Sequence, residues 1–346
     1  MKKVFRIIFF VFTLICYLSV FISPEYFWLV GFISLSVPIL IIIHFFFLII
    51  NIKRLRKVFF YHLAVIIIGF AFIKISYSVS KNDDEGVLKV LSYNVRIFNN
   101  YSNLRNEEYI SSRKMIGWSV ENDAQIKCFQ EYYNNDRSDI FDVRNKLTKA
   151  GWDQNHCKIV LRDRAKAEFG IAIYSNLPIV KTGEIKSDSG DFLNSIFADI
   201  LIGKDTIRIY NTHLESMSIN VENVVNTDKL ARSYKDTGYR LRNGFVSRAQ
   251  QIKGLVASIK SCSYKIILCG DLNELPYSYP YFSLRNLLYN AFEKAGNGFG
   301  FTYNGKLFFL RIDNQFFSKD VNIHNFMIHR NIDFSDHFPL TASYSW

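Results

Sequence analysis

Short β-branched and aromatic runs, each closed by one or two polar residues, recur along this chain from about residue 87 to its end. Leu88–Val95 ends at Asn94-Val95, and Ile126–Phe129 meets Gln130-Glu131. Ile207–Asn211 meets Thr212-His213, and Tyr264–Cys269 meets Gly270-Asp271-Leu272-Asn273. Such runs read as strands. A buried strand ends where its polar residues begin, so the pattern confines the chain to stacked sheets with polar rims. Further strands are expected at Lys158–Leu161, Gly170–Tyr174, Phe197–Ile202, Leu307–Phe309 and Leu340–Tyr344. Helical spacing occurs at 245–260, where Phe245, Ala249, Ile252, Val256 and Ile259 share a face. It recurs at 137–149 through Ile140, Val143 and Leu147, and at Tyr281–Ala291. Many strands with few helices predict two packed sheets with helices outside.

The first 80 residues have a different composition. Three apolar stretches, Val4–Ile22, Tyr26–Ile52 and Val58–Ile75, fill them. The first two are long enough to cross a hydrocarbon core of about 30 Å at about 1.5 Å per residue. The third is shorter, with Lys74 placed to snorkel at its end. The expected organisation is a membrane anchor of three spans over 1–77, a linker over 78–86 and one catalytic domain over 87–346. Lys2, Lys3 and Arg6 open the first span, and Lys53, Arg54, Arg56 and Lys57 separate the second from the third. By the positive-inside rule both groups are cytoplasmic, so three crossings place the domain on the extracytoplasmic side. Eight Lys/Arg against Glu25 alone give this region a net charge of +7 out of the chain's +11. The basic balance therefore reflects membrane flanks rather than a nucleic-acid surface.

The polar islands carry chemistry. A carboxylate at a strand end, as at Glu131, suits a hard cation such as Mg²⁺. Gly270 permits a sharp turn off a buried strand, after which Asp271 and Asn273 both project over the rim. A carboxylate orients or deprotonates water, and an amide donates to phosphate oxygens where charge builds. Arg311-Ile312-Asp313 and Ser335-Asp336-His337 add the last acids and an imidazole. An Asp bonded to one ring nitrogen fixes the tautomer and favours a protonated ring facing a phosphate. Singly, each island has an ordinary explanation: turn chemistry for Asn94 and Asp271-x-Asn273, a solvated strand end for Glu131, a structural role for His213. Their joint occurrence carries the argument.

The order Asn94, Gln130-Glu131, Thr212-His213-Leu214, Gly270-Asp271-x-Asn273, Arg311-Ile312-Asp313, Ser335-Asp336-His337 resembles the endonuclease/exonuclease/phosphatase superfamily. That superfamily includes DNase I-like nucleases, abasic-site endonucleases, inositol-polyphosphate phosphatases and neutral sphingomyelinases. The resemblance covers residues 87–346. It implies an α/β, four-layered sandwich of two packed mixed β-sheets flanked by helices. It also implies phosphoester hydrolysis dependent on Mg²⁺, with Mn²⁺ as the other candidate. Carried over by position, it implies that Asn94 and Glu131 belong to the metal end, Glu131 being the principal ligand, with Asp336 near the metal. His213 would contact the scissile phosphate, Asp271 would position or activate water, and Asn273 would help hold the phosphate. Asp313 would orient His337, and His337 would bind the phosphate as acid or base. Two features depart from the pattern. Asn314-Gln315 follows Asp313 where an aromatic or aliphatic strand residue is usual. Glu215–Phe245 is a long insertion carrying Lys229, Arg232, Lys235, Arg240 and Arg242 against Glu215, Glu222, Asp228 and Asp236.

The expected function is a membrane-anchored, metal-dependent phosphoester hydrolase, a phosphodiesterase or endonuclease. The alternatives are a phospholipid- or sphingomyelin-type phosphodiesterase or phosphatase, and a non-catalytic, membrane-tethered binding module on the same fold. The expected substrate is a phosphate ester of nucleic acid or of a lipid headgroup. A tether favours the lipid, and the near-neutral domain argues against tight duplex binding, which phosphate neutralisation drives.

Overall fold

A computed structural model describes residues 2–54, 57–80, 86–100, 109–162, 167–186, 192–216 and 230–346. Lys81–Glu85 of the expected linker lie outside the described residues, as do Glu222, Asp228 and Lys229 and the side chains of Arg232, Lys235 and Asp236 in the insertion. The chain divides into two compact units. One comprises Met1–Tyr77, Glu215–Ile252 and Glu274–Ser283; the other comprises Ser78–Leu214, Lys253–Asn273 and Leu284–Trp346.

In chain order the strands are β1 (Tyr77–Ser78), β2 (Leu88–Asn94), β3 (Ile126–Asn134), β4 (Gln154–Arg162), β5 (Glu168–Ser175), β6 (Ile179–Lys186) and β7 (Phe192–Ile202). They continue as β8 (Asp205–His213), β9 (Lys265–Asp271), β10 (Tyr289–Asn290), β11 (Gly298–Phe299), β12 (Asp313–Phe317), β13 (Asn322–Ile328) and β14 (Leu340–Ser345). Two six-stranded sheets result, ordered β13-β14-β2-β3-β5-β4 and β10-β12-β9-β8-β7-β6. In each sheet one central pair is parallel, β2 with β3 and β8 with β9, and the other pairs are antiparallel.

The sheets pack face to face through Val90, Ile126, Cys128 and Ile173 from the first and Ile196, Ile207, Ile209, Ile267 and Cys269 from the second. Each such aliphatic side chain contributes about 1.5–3 kcal/mol when fully buried. On the far side of the first sheet, Leu91, Tyr93 and Phe129 meet Met115 and Ile116 of the helix Ile110–Glu121. Buried amides join the two sheets. Gln130 donates to Asn211 at 2.6 Å, and Asn211 donates to the carbonyls of Phe129 and Ala172, both at 2.9 Å. Gln315 donates to the carbonyls of Val90 and Leu340, both at 3.2 Å, while its own oxygen accepts from Tyr344. Asn314-Gln315 therefore do not interrupt the strand after Asp313, and β12 is buried throughout.

Local expectations differ from the structure in a few places. Leu307–Phe309 is an exposed turn, closed by Leu310 N–H on the Leu307 carbonyl, and among the described residues it pairs with no strand. Of 137–149 only Val143–Lys149 is helical, started by the Asp142 cap. The helix at 245–260 is part of a longer one, Leu230–Ser261. Tyr281–Ala291 is divided between the helices Tyr279–Arg285 and Ala291–Ala295. All five cysteines are free thiols.

The N-terminal stretches are helical but do not form three long spans. Lys2–Ser19 is one helix, with its cations in the first turns. The second stretch breaks at Ser36 into Val30–Leu35 and Val37–Asn51, where Pro38 lies in the first turn and cannot continue a preceding helix. The third breaks at Gly69 into Lys57–Ile68 and Phe70–Ser76, bent by 57°. A Cβ at Gly69 would lie 2.4 Å from the Tyr17 hydroxyl, so the close approach needs glycine. Among the described residues no single helix is long and apolar enough to cross a membrane, and the bent pair alone has the length and composition.

Candidate active site

The carboxyl ends of parallel strands share one rim, the usual location for ligand contacts in α/β sheets. Here β2 and β3 bring Asn94 beside Gln130, and β8 and β9 bring His213 beside Asp271. Antiparallel β12 starts at that rim and pairs Asp313 with Asp271. The segment leading into β14 supplies Asp336 and His337, and Ser335 Oγ fastens it by donating to the Asn94 carbonyl at 2.9 Å.

Local backbone features aim these groups. Register slips between Phe129 and Tyr132, with Glu131 at φ +49°, so a bulge turns Glu131 out of the strand alternation. Asn273 also has a positive φ of +49°. At Gly270 a Cβ would lie 2.2 Å from the Thr212 carbonyl oxygen, and only glycine lets β8 and β9 close up with His213 against Asp271. Asp271 Oδ1 accepts from the Asn273 backbone N–H at 2.8 Å, while the Asn273 side chain donates to the Leu214 carbonyl at 2.9 Å.

The site residues meet as one cluster. Asn94 Nδ2 donates to Asp271 Oδ2 at 3.0 Å and to Glu131 Oε1 at 3.3 Å. His213 Nε2 stands 3.7 Å from Asp271 and 3.9 Å from Glu131. His337 Nδ1 bonds to both Asp313 oxygens, at 2.9 and 3.0 Å, and its Nε2 stands 3.8 Å from Asp271 and 4.0 Å from Asp336. Burial alone would lower the His337 pKa, but Asp313 and then Asp271 outweigh it and push it up to about 10. The ring therefore carries its second proton at neutral pH and presents it at Nε2.

Sequence reasoning missed four neighbours. Thr302 Oγ1 accepts from the N–H groups of Ile312 and Asp313, both at 3.1 Å, and so sets the start of β12. The Tyr303 ring packs edge-on to His337 at 5.4 Å. The Asn194 side-chain amide lies 3.4 Å from His213 Nδ1 and so orients that ring. Arg96 pairs with Asp336 at 3.3 Å. No local motif marks Thr302, Tyr303 or Asn194, and Arg96 is marked only by its nearness to Asn94.

The donor set fits a divalent metal. Among the described residues, Asp271, Asp313 and His337 offer ligand atoms within 4.8 Å of one another; with the His337 ring charged and held by Asp313, the donors left for a metal are carboxylates, Asp271 foremost, with Glu131 close by. Carboxylate oxygens are the ligands that Mg²⁺ and Mn²⁺ take. In fold and site the protein belongs to the class of two-sheet α/β sandwiches with an acid–imidazole cluster at the strand carboxyl ends.

Comparison with known proteins makes this specific: residues 91–337 match the Endonuclease/Exonuclease/phosphatase family, and the chain belongs to it. Members of that family typically hydrolyse phosphoesters. Residues 3–76 match a family described as a domain of unknown function. No curated protein matches the chain. Among solved structures it is similar to the human Nocturnin catalytic domain with bound sulfate, at 16% identity and a TM-score of 0.52, over 77% of this chain and 96% of that one. It is likewise similar to an endonuclease/exonuclease/phosphatase from Bacteroides vulgatus, at 15% identity and a TM-score of 0.53, over 75% of this chain and 98% of that one. These likenesses concern the fold.

Proposed function

We propose that this protein is a divalent-metal-dependent phosphoester hydrolase held at a membrane by its N-terminal helices. The observation that carries the reading is His337, bound on one nitrogen to Asp313 at 2.9 Å and facing Asp271 with the other at 3.8 Å. A charged imidazole so held donates to a phosphate oxygen or to a leaving group, and the neighbouring carboxylate orients water. Glu131 and Asp271, bridged by the Asn94 amide, would hold the metal, with Asp336 near it. When bound, a Mg²⁺ or Mn²⁺ ion neutralises charge on the phosphate and lowers the pKa of water. His213, steadied by Asn194, turns its Nε2 towards the same space, where it would contact the scissile phosphate. Asn273 secures the loop that carries Asp271 and contributes to holding the phosphate from there.

Membrane attachment is supported by the N-terminal unit, where Phe5, Ile42 and Ile49 are 71%, 68% and 66% exposed. Apolar patches of that kind are covered by lipid or by another protein. The cation distribution favours an extracytoplasmic catalytic domain. A cysteine introduced within residues 81–86 should then react with a membrane-impermeant reagent in intact cells, and labelling only after lysis would reverse the orientation.

The activity test offers DNA, RNA and phospholipid vesicles to the full-length protein in detergent, with Mg²⁺ or with chelator. Metal-dependent release from one substrate class is expected. His337→Ala and Asp271→Asn should each lower turnover by about 10² or more, the usual effect of removing such groups. Wild-type turnover in both variants would remove the site assignment.

A further inference from the structure

Immediately after β2 the backbone does something L-residues rarely do. Arg96, Ile97, Phe98 and Asn99 have φ of 45°, 46°, 51° and 56°, a complete left-handed turn without a glycine. Each such residue costs roughly 1–2 kcal/mol, and strained backbone of this kind persists only where its surroundings hold it. The surroundings here are specific. Phe98 is fully buried against Phe129 and Tyr132. Asn99 donates to the Phe334 carbonyl and to Ser111, and the Arg96 N–H donates to Asn94 Oδ1 at 3.1 Å. The turn is thereby fixed both to the metal-side amide and to the segment bearing Asp336 and His337.

The turn delivers one guanidinium to the site. Arg96 Nε meets Asp336 Oδ2 at 3.3 Å, with the Arg96 side chain one-third exposed and that of Asp336 22% exposed. Ser335 Oγ, whose proton goes to the Asn94 carbonyl, also stands 3.3 Å from Asp336 Oδ1. The half-buried Tyr303 hydroxyl lies in the same field: burial raises its pKa first, then Asp336, while Arg96 lowers it. Asp336 is thus paired with a permanent cation, as Asp313 is with His337, and, like Glu131, it stands outside the Asp271–Asp313–His337 grouping that offers convergent ligand atoms. A planar guanidinium oriented through one edge by a carboxylate is suited to a tetrahedral oxyanion, which it engages in fork geometry as lysine cannot.

We propose that Arg96, oriented by Asp336, is a phosphate receptor of this site, and that Asp336 acts as its positioning residue rather than as a metal ligand. This rests on the phosphoester reading above and revises one role within it. The receptor binds a non-bridging phosphate oxygen that the metal and His337 do not take. It therefore favours terminal phosphomonoesters, which offer an additional charged oxygen, over diesters.

Two measurements on the full-length protein separate the roles. Mn²⁺ titration reads metal affinity without turnover, and inorganic phosphate binding to the metal-loaded protein reads the receptor. Arg96→Gln should weaken phosphate at least tenfold, Arg96→Lys should restore only part of the loss, and neither should change Mn²⁺ affinity. Asp336→Asn should weaken phosphate several-fold with Mn²⁺ affinity unchanged, whereas Glu131→Gln should lose Mn²⁺. On monoester and diester substrates, Arg96→Gln should lower the monoester-to-diester ratio of kcat/KM. Loss of Mn²⁺ in Asp336→Asn, or unaltered phosphate affinity in Arg96→Gln, overturns the proposal. Absence of turnover with phosphate binding intact and dependent on Arg96 instead overturns the hydrolase reading and leaves the receptor standing.

Discussion

Lys127 shows how far residue type alone misleads. It lies within a strand run and is fully buried, with its ammonium donating to the Ser119 and Val120 carbonyls at 2.7 and 2.9 Å. It thereby caps the carboxyl end of the helix Ile110–Glu121 and sits 3.3 Å over the Trp152 ring. Burial pushes its pKa down to about 7, against the pull of Asp123. Between about pH 7 and the ordinary lysine value the unfolded chain keeps a proton that the folded chain has released. Stability contributed at this position therefore rises with pH across that window, by at most about 1.4 kcal/mol per pH unit. Between pH 7 and pH 9 the denaturant midpoint should gain more, or lose less, in the wild type than in Lys127→Met, because His337, whose raised pKa works in the opposite sense, is common to both. Equal shifts in both proteins would place the titrating group elsewhere. Other residues were legible in the sequence as members of one cluster. Asn94, Glu131, His213, Asp271, Asp313 and His337 were identified from their position after apolar runs, and all meet within about 4 Å of a neighbour in the cluster.

At the scale of elements, legibility followed burial. Central strands such as β2, β3 and β9 are apolar on both faces, so the sequence marks them directly. The edge strand β6, Ile-Val-Lys-Thr-Gly-Glu-Ile-Lys, is mostly exposed and gave no signal, as charged edges that resist further pairing generally do not. The helix Ile110–Glu121 was missed for another reason: its buried face runs Ser112, Met115, Ile116, Ser119, helical in spacing but half serine. Leu307–Phe309 gave the opposite error, an apolar run without a partner strand. The amide bridges are equally silent in sequence, since a glutamine in a strand does not announce what it reaches. Gln315→Leu should cost about 1–3 kcal/mol, because the Tyr344 hydroxyl and two carbonyls lose their partner in the core. Adding Tyr344→Phe should recover part of that loss, and a strictly additive double variant would show that the two side chains are uncoupled.

For the whole molecule, the apolar N-terminus bears on where the protein resides. Its exposed Phe, Ile and Leu side chains should keep the full-length chain in the membrane fraction through a high-salt wash and release it into detergent. Release by salt alone would mean that the apolar surface is covered by protein rather than lipid. The sequence by itself determined the two-sheet architecture and the ordered set of rim residues. It could do so because burial on both faces selects β-branched runs, and because carboxylate, amide and imidazole groups are confined to the ends where those runs leave the core. Only the tertiary structure decided that the third N-terminal stretch bends at Gly69, where Tyr17 packs against the break, whereas the break of the second at Ser36 follows from Pro38 in the sequence. It alone also decided that Arg96 meets Asp336 and that Tyr303 lies against His337. Those contacts join residues 240 and 34 positions apart, and no local pattern in a chain encodes a distance across the fold.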